Sequence, residues 1–480
     1  MSVNDQQLRD AAWKAVEEKK DVVESDSYRL KFHVMPPVGL LNDPNGWIHW
    51  KGTYHLFYQW MPFKTDHGAK FWGHFTSKDL VNWKHEDIAL TPSEWFEKNG
   101  CYSGSAISKE DELWLYYTGN LKNEKNERST YQCLAISKDG LRFDKKGPVV
   151  ELPEEYTPHF RDPKVWSQDG KYFMVVGAQT KEEKGAVALL SSIDGMEWKH
   201  ERIIAGGGKD SLGDFGYMFE CPDLFRLDQK DVLVFSPQGL EAQEWKYQNV
   251  YQAGYVMGEF NATDASYTFG AFHELDRGFD FYAPQTTEDE FGRRVLVAWM
   301  SVPDQHEQEH PTIKHGWIHC MTIPREIKIV QDKIYQLPVK ELEELRLGTP
   351  REQQIELEGS TLTFEAADAH ELQLNDISLD GDWFAVEWSG AARFSYNKQT
   401  KMATLERVSY VDGLWEKRQC PVENVTDIQV FRDTSSIEVF VNGGEEVFTA
   451  RIFPQGDDPF VTITTKGELG ASFAMWELES

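Results

Sequence analysis

A chain of 480 residues exceeds the usual size of one domain, so two domains are expected, each with its own core. The formal charge of −29 excludes nucleic acid and anionic membrane as partners, because both need a basic face, and favours a small neutral or modestly charged ligand. Aromatic residues reach 13% with 17 Trp, enough to fill cores and still offer flat faces to sugar rings.

Residues 1–31 open the chain as a charged segment without the apolar core of a signal peptide, and no stretch approaches the roughly twenty apolar residues of a membrane span. Cytoplasmic residence is the expectation. The spacing of Leu8, Ala12 and Val16 predicts an amphipathic helix over residues 5–23, a packing appendage. Residues 32–337 are short aromatic and β-branched segments broken by Gly, Asp, Asn and Pro, which predicts an all-β domain.

A weak repeat shapes that domain. Ser77-Lys-Asp-Leu-Val-Asn-Trp83, Ser137-Lys-Asp-Gly-Leu-Arg-Phe143 and Ser192-Ile-Asp-Gly-Met-Glu-Trp198 recur at roughly 55 to 60 residues, a period that suits one four-stranded propeller blade. Units starting at Asn42, Ser103, Arg161, Glu220 and Tyr282 then predict a five-bladed β-propeller. Residues 338–350 have helical spacing and end at Gly348-Thr-Pro350, so a linker helix is expected. In residues 351–480 strands return as hairpins, such as Ser436–Phe448 around Asn442-Gly443, and predict a C-terminal β-sandwich.

Five cysteines, scattered without CxxC pairs, argue against a disulfide framework or a zinc ribbon. His306-Glu-Gln-Glu-His310 matches the HExxH zinc pattern, but it lies between Pro303 and Pro311 with no apolar helical face to bring the imidazoles together. Gly206-Gly-Gly-Lys-Asp210 loosely evokes a phosphate loop, lacks the Ser or Thr after Lys, and reads as a surface turn. No metal or cofactor is expected.

Three acids stand in Pro-punctuated contexts: Asp43 in Leu41-Asn-Asp-Pro-Asn-Gly46, Asp162 in Arg161-Asp-Pro163 and Glu220 in Phe219-Glu-Cys-Pro-Asp223. Their separations are close to two units and then one unit of roughly sixty residues, which puts one acid on the first strand of each of blades one, three and four. An Asp before Pro is by itself most often a turn former. Carboxylates converging in one cavity are what glycosidic bond cleavage requires.

These motifs, with His55-Leu-Phe-Tyr-Gln59, Phe71-Trp-Gly-His74, Tyr102-Ser-Gly-Ser105, Phe281-Tyr-Ala-Pro-Gln285 and Arg432–Asn442, appear in an order that resembles glycoside hydrolase family 32, and within it the bacterial β-fructofuranosidases. The resemblance implies a propeller followed by a sandwich, and a retaining double displacement on sucrose or sucrose 6-phosphate, with some fructosyl transfer to other acceptors. It implies Asp43 as nucleophile, Glu220 as acid and base, and Asp162 as transition-state stabiliser. Asn42, Gln59, Trp72, Tyr102, Ser103, Arg161, Cys221, Tyr282 and Trp299 match sugar-contacting positions. Where many family members have a Trp, this chain has His67, and with Lys64 and Lys70 it forms a candidate rim or phosphate contact. An exo-acting fructan hydrolase and a catalytically silent fructan-binding lectin are the alternatives. The oligomeric state is left open between monomer and homodimer.

Overall fold

The computed structural model describes residues 2–208, 211–456 and 459–479. Every predicted blade start lies on an inner strand: Gly39–Trp50, Cys101–Lys109, Tyr156–Gln168, Met218–Leu227 and Tyr282–Glu288. From each, the chain runs outward through antiparallel neighbours, and the five inner strands touch one another in a ring. Both faces of a blade are covered by its neighbours, so strands such as Lys230–Gln238 read as continuous apolar runs rather than as alternation. Aromatic and aliphatic side chains fill the wedges between blades: Phe57 and Tyr117 between the first two, Tyr116 and Phe160 between the next two. Trp47, Trp60, Trp72 and Trp299 are at most 1% exposed, each stabilising the ring by about 3 kcal/mol through burial.

The Ser-x-Asp repeat is a turn. In blades one, two and three it joins the third strand to the fourth, and the Asp carboxylate (Asp79, Asp139, Asp194) accepts backbone N–H bonds from the residues two and three further on. Ring closure comes from an insertion in blade five, whose strand Trp317–Ile318 pairs in parallel with Gly39–Leu40 of blade one.

The N-terminal helix spans Val3–Glu24 and is capped by Ser2, whose hydroxyl accepts from the Asp5 N–H. Ala12 is buried, with Leu8 and Val16 packed beside it. A buried Asp5–Arg9 ion pair, 2.9 Å, also docks the helix, with Thr91 donating to Asp5 and Arg9 donating to the Ile88 carbonyl.

Instead of a helix over residues 338–350, the linker is one 3-10 segment, Lys340–Leu345, followed at once by strand Arg346–Glu358. Leu342 and Leu345 are its buried residues, and their three-residue spacing suits the tighter helix better than an α-helical stripe. In the sandwich, the 19-residue strands His370–Trp388 and Phe460–Leu478 pair along their lengths, bulge near Asp376 and Asp382, and fold their neighbours over a core that includes Leu372, Phe384, Phe394, Val439 and Phe448. The seam with the propeller buries a polar network beside apolar contacts such as Phe32 against Phe431. His33 bridges Asp433 at 2.8 Å and Glu438 at 2.9 Å, while Arg325 reaches from blade five to Glu438 and Asp276.

Candidate active site

All five inner strands carry a bulge at corresponding places. Pairing is interrupted between Leu41 and Pro44, Tyr102 and Gly104, Arg161 and Lys164, Glu220 and Asp223, and Tyr282 and Gln285. Three of the bulges contain a proline (Pro163, Pro222, Pro284) and Pro44 closes a fourth; proline has no N–H to give to the ladder and is tolerated where pairing is broken. Before three of these prolines the chain turns left-handed, at Asp162 (φ 68°), Cys221 (φ 48°) and Ala283 (φ 49°). That conformation is costly for a residue with a side chain, about 1–3 kcal/mol each, and it re-aims the neighbouring side chains toward the axis.

Aligned on these prolines, the site residues fall into two sets. Asp43, Asp162, Cys221 and Ala283 directly precede the proline, and Asn42, Arg161, Glu220 and Tyr282 lie one residue earlier, with Tyr102 and Ser103 at the bulge of blade two. The three acids are therefore not equivalent. Asp43 and Asp162 both stand directly before a proline and both contact the Cys221 sulfur, at 3.6 and 3.7 Å, whereas Glu220 stands two residues before its proline.

The surroundings of each acid differ accordingly. Asp43 accepts from the Ser103 hydroxyl at 2.5 Å and the Asn42 amide at 3.2 Å, and Lys70 donates to Asn42 at 2.8 Å. Burial pushes the Asp43 carboxyl above its ordinary pKa, as does the charge of Glu220, while Ser103, Asn42 and Lys70 favour the ionised form. Burial likewise pushes Asp162 up to about 7, against the attraction of Arg161, with Glu220 and Asp43 adding to the rise. The Cys221 N–H donates to Asp162 at 3.0 Å, and burial keeps the Cys221 thiol protonated. Glu220 takes Arg161 on one oxygen, at 3.0 and 2.6 Å, and Tyr282 (2.6 Å) and Gln238 (2.7 Å) on the other. Arg161 also donates to the imidazole of His159, whose pKa burial pulls down to about 4 so that it accepts as a neutral ring.

These groups line one cavity of about 540 Å³, a volume suited to a small sugar. Of the predicted residues, Asp43, Asp162, Glu220, Asn42, Gln59, Tyr102, Ser103, Arg161, Tyr282, Trp299, His67 and Lys70 line it. The indole N–H of Trp299 has no partner among the described residues. Cys221 contacts Asp43 and Asp162 but is outside the lining, and Trp72 is fully buried, donating to the Tyr102 carbonyl. Lys64 lies outside the lining, 3.6 Å from Asp66. His67 pairs with Glu307 at 3.1 Å, and that carboxylate also takes His319, so the central Glu of the zinc-like motif is committed to imidazoles. His306 merely caps a 3-10 turn over Glu307–Glu309. In the Gly-rich stretch, Lys209 and Asp210 lie outside the described residues.

Gln238, Lys122, Arg128, Asn99, Asn120 and Asp304 also line the cavity and did not stand out in the sequence. Gln238 had a signal. It sits two residues beyond Ser236, the pairing partner of Glu220, so blade register alone locates it.

The model of the glycosyl hydrolases family 32 N-terminal domain matches residues 33–338, and that of the family's C-terminal domain matches residues 384–477. The sucrose-6-phosphate hydrolase of Bacillus subtilis (strain 168) is 51% identical over 480 residues, 100% of each chain. A Bombyx mori GH32 beta-fructofuranosidase mutant solved in complex with sucrose is 31% identical with a TM-score of 0.87, covering 98% of both chains. The sucrose-6-phosphate hydrolase structure from Lactobacillus gasseri is 30% identical with a TM-score of 0.88, over 98% of this chain and 96% of that one.

Proposed function

The chain belongs to glycosyl hydrolase family 32, and on that premise we propose that its axial cavity hydrolyses sucrose or sucrose 6-phosphate with retention, through a fructosyl ester on Asp43. In the first step an Asp43 oxygen attacks fructosyl carbon 2. The bond from that carbon to the bridging oxygen breaks, and Glu220 gives its proton to the departing sugar. In the second step Glu220 takes a proton from water, whose oxygen attacks carbon 2 and releases the Asp43 carboxylate. Asp162 accepts hydrogen bonds from fructosyl hydroxyls and stabilises the cationic transition state.

The observation that carries this assignment is the different setting of the two acids in one cavity. Asp43, held by the neutral donors Ser103 and Asn42, faces the part of the cavity where the anomeric carbon would sit. Glu220 is placed for the leaving oxygen and is oriented by Arg161, Tyr282 and Gln238. A phosphorylated disaccharide does not cross a bilayer unaided, so this reading implies a cytoplasmic enzyme. Reaction with a fluorinated fructosyl substrate, followed by peptide mapping, is expected to place the adduct on the peptide containing Asp43. An adduct elsewhere, or preference for inulin or levan over sucrose, would overturn the reading.

A further inference from the structure

Resting on that reading, we propose that Lys122 and Arg128 form a subsite for a phosphate monoester on the leaving-group sugar, which makes sucrose 6-phosphate the preferred substrate. Lys122 ends the second strand of blade two, Glu112–Lys122, and Arg128 begins the third, Arg128–Ser137. The two are directly paired across the neck of the hairpin, so their side chains emerge together on one face. Both are half-buried and both line the cavity that contains Asp43 and Glu220.

What distinguishes this pair is that its charges are uncommitted. Among the described residues no hydrogen bond or ion pair holds the Lys122 ammonium or the Arg128 guanidinium, although the chain carries a net charge of −29. Every other cation lining the cavity has a partner: Arg161 has Glu220, Lys70 has Asn42 and His67 has Glu307. The nearby Glu127 carboxylate accepts from Asn123, and Asp304, the fourth carboxylate of the lining, accepts from Tyr251. Burial holds Arg128 below the usual guanidinium pKa, against the pull of Tyr102, and the charge of Arg161 adds to the lowering. A dianion arriving there would relieve both penalties.

The position also matches the substrate. Arg128 lies over the Tyr102 ring at 5.8 Å, and Tyr102 precedes Ser103, which holds Asp43. Arg161 and Glu220 also act on the Arg128 charge, so the pair lies on the side of the cavity served by the proposed acid, where the departing sugar would sit.

The test compares kcat/KM for sucrose and for sucrose 6-phosphate in the wild type, Lys122→Gln, Arg128→Gln and the double variant, with circular dichroism as the fold control. The wild type is expected to favour the phosphorylated substrate. In the double variant the ratio of the two values should fall by about 10-fold or more, mainly through KM. Glucose 6-phosphate should inhibit the wild type more strongly than glucose, and that difference should disappear in the double variant. An unchanged ratio in the double variant, a wild-type ratio at or below one, or a ratio lowered instead by Lys64→Gln would overturn the subsite. Failure of the wild type to release fructose from either sugar would sink the underlying reading as well, and the same assay distinguishes the two failures.

Discussion

Arg161 donates from Nε and Nη2 to one oxygen of Glu220, leaving the other oxygen to Tyr282 and Gln238. The two residues lie at corresponding points of the bulges in blades three and four. Glu220 is thus oriented by three neighbours that themselves carry no role in bond breaking. Lysine keeps the charge at position 161 but loses the planar fork, so Arg161→Lys is expected to lower kcat on sucrose by about 10- to 100-fold. Glu220→Ala should cost about 10³-fold on sucrose and far less in the first step on an aryl fructoside, whose leaving group needs no proton. Pre-steady-state release of the aryl group separates the two cases; equal losses on both substrates would remove Glu220 from the acid role.

Asp162 combines a functional cost with a stability cost. Its folded pKa of about 7 lies above the ordinary carboxylate value, so between these values the native state holds more protons than the unfolded chain. The stability linked to this group is fully present below pH ~4 and is lost as pH rises through about 7. Asp162→Asn, which removes the ionisation, is expected to melt above the wild type at pH 8, with the gap shrinking toward pH 4. The same variant should lower kcat more than it raises KM, because the interaction strengthens in the transition state. Melting curves that stay parallel across pH would refute the linkage.

The seam between propeller and sandwich has the corresponding signature for a base. Burial disfavours charge on His33, but Asp433 and Glu438 overcome it and raise its pKa to about 9. That contribution, on the order of 3 kcal/mol, is fully present below pH ~6.5 and is lost as pH rises through about 9. The wild-type melting temperature should therefore fall between pH 7 and 9.5. His33→Gln should be less stable at pH 7 and show a flatter curve, and calorimetry over this range would reveal whether the two curves instead run in parallel.

Much of the fold was legible because its signals are local. The Ser-x-Asp turns satisfy their own backbone within a few residues, and an inner-strand proline marks a bulge wherever it occurs. The linker was less legible, since Leu342 and Leu345 fit a helix until packing shows that only one short turn is accommodated between two strands. Rim cations were harder still. Lys64, His67 and Lys70 look like a basic cluster in the sequence, but each is taken by a neighbour, and for His67 that neighbour lies 240 residues away.

By itself the sequence determined the five-blade count and the inner strands, because turn chemistry and strand patterning act over a few residues, and through its motif order and the family resemblance it singled out Asp43, Asp162 and Glu220 as candidates. Only the tertiary structure decided that the Cys221 sulfur contacts both Asp43 and Asp162, that Arg161 is committed to Glu220, and that Lys122 and Arg128 are left uncommitted. Those relationships depend on the register of bulges in strands about sixty residues apart. A one-residue shift there changes which side chains meet without leaving any mark on the local pattern.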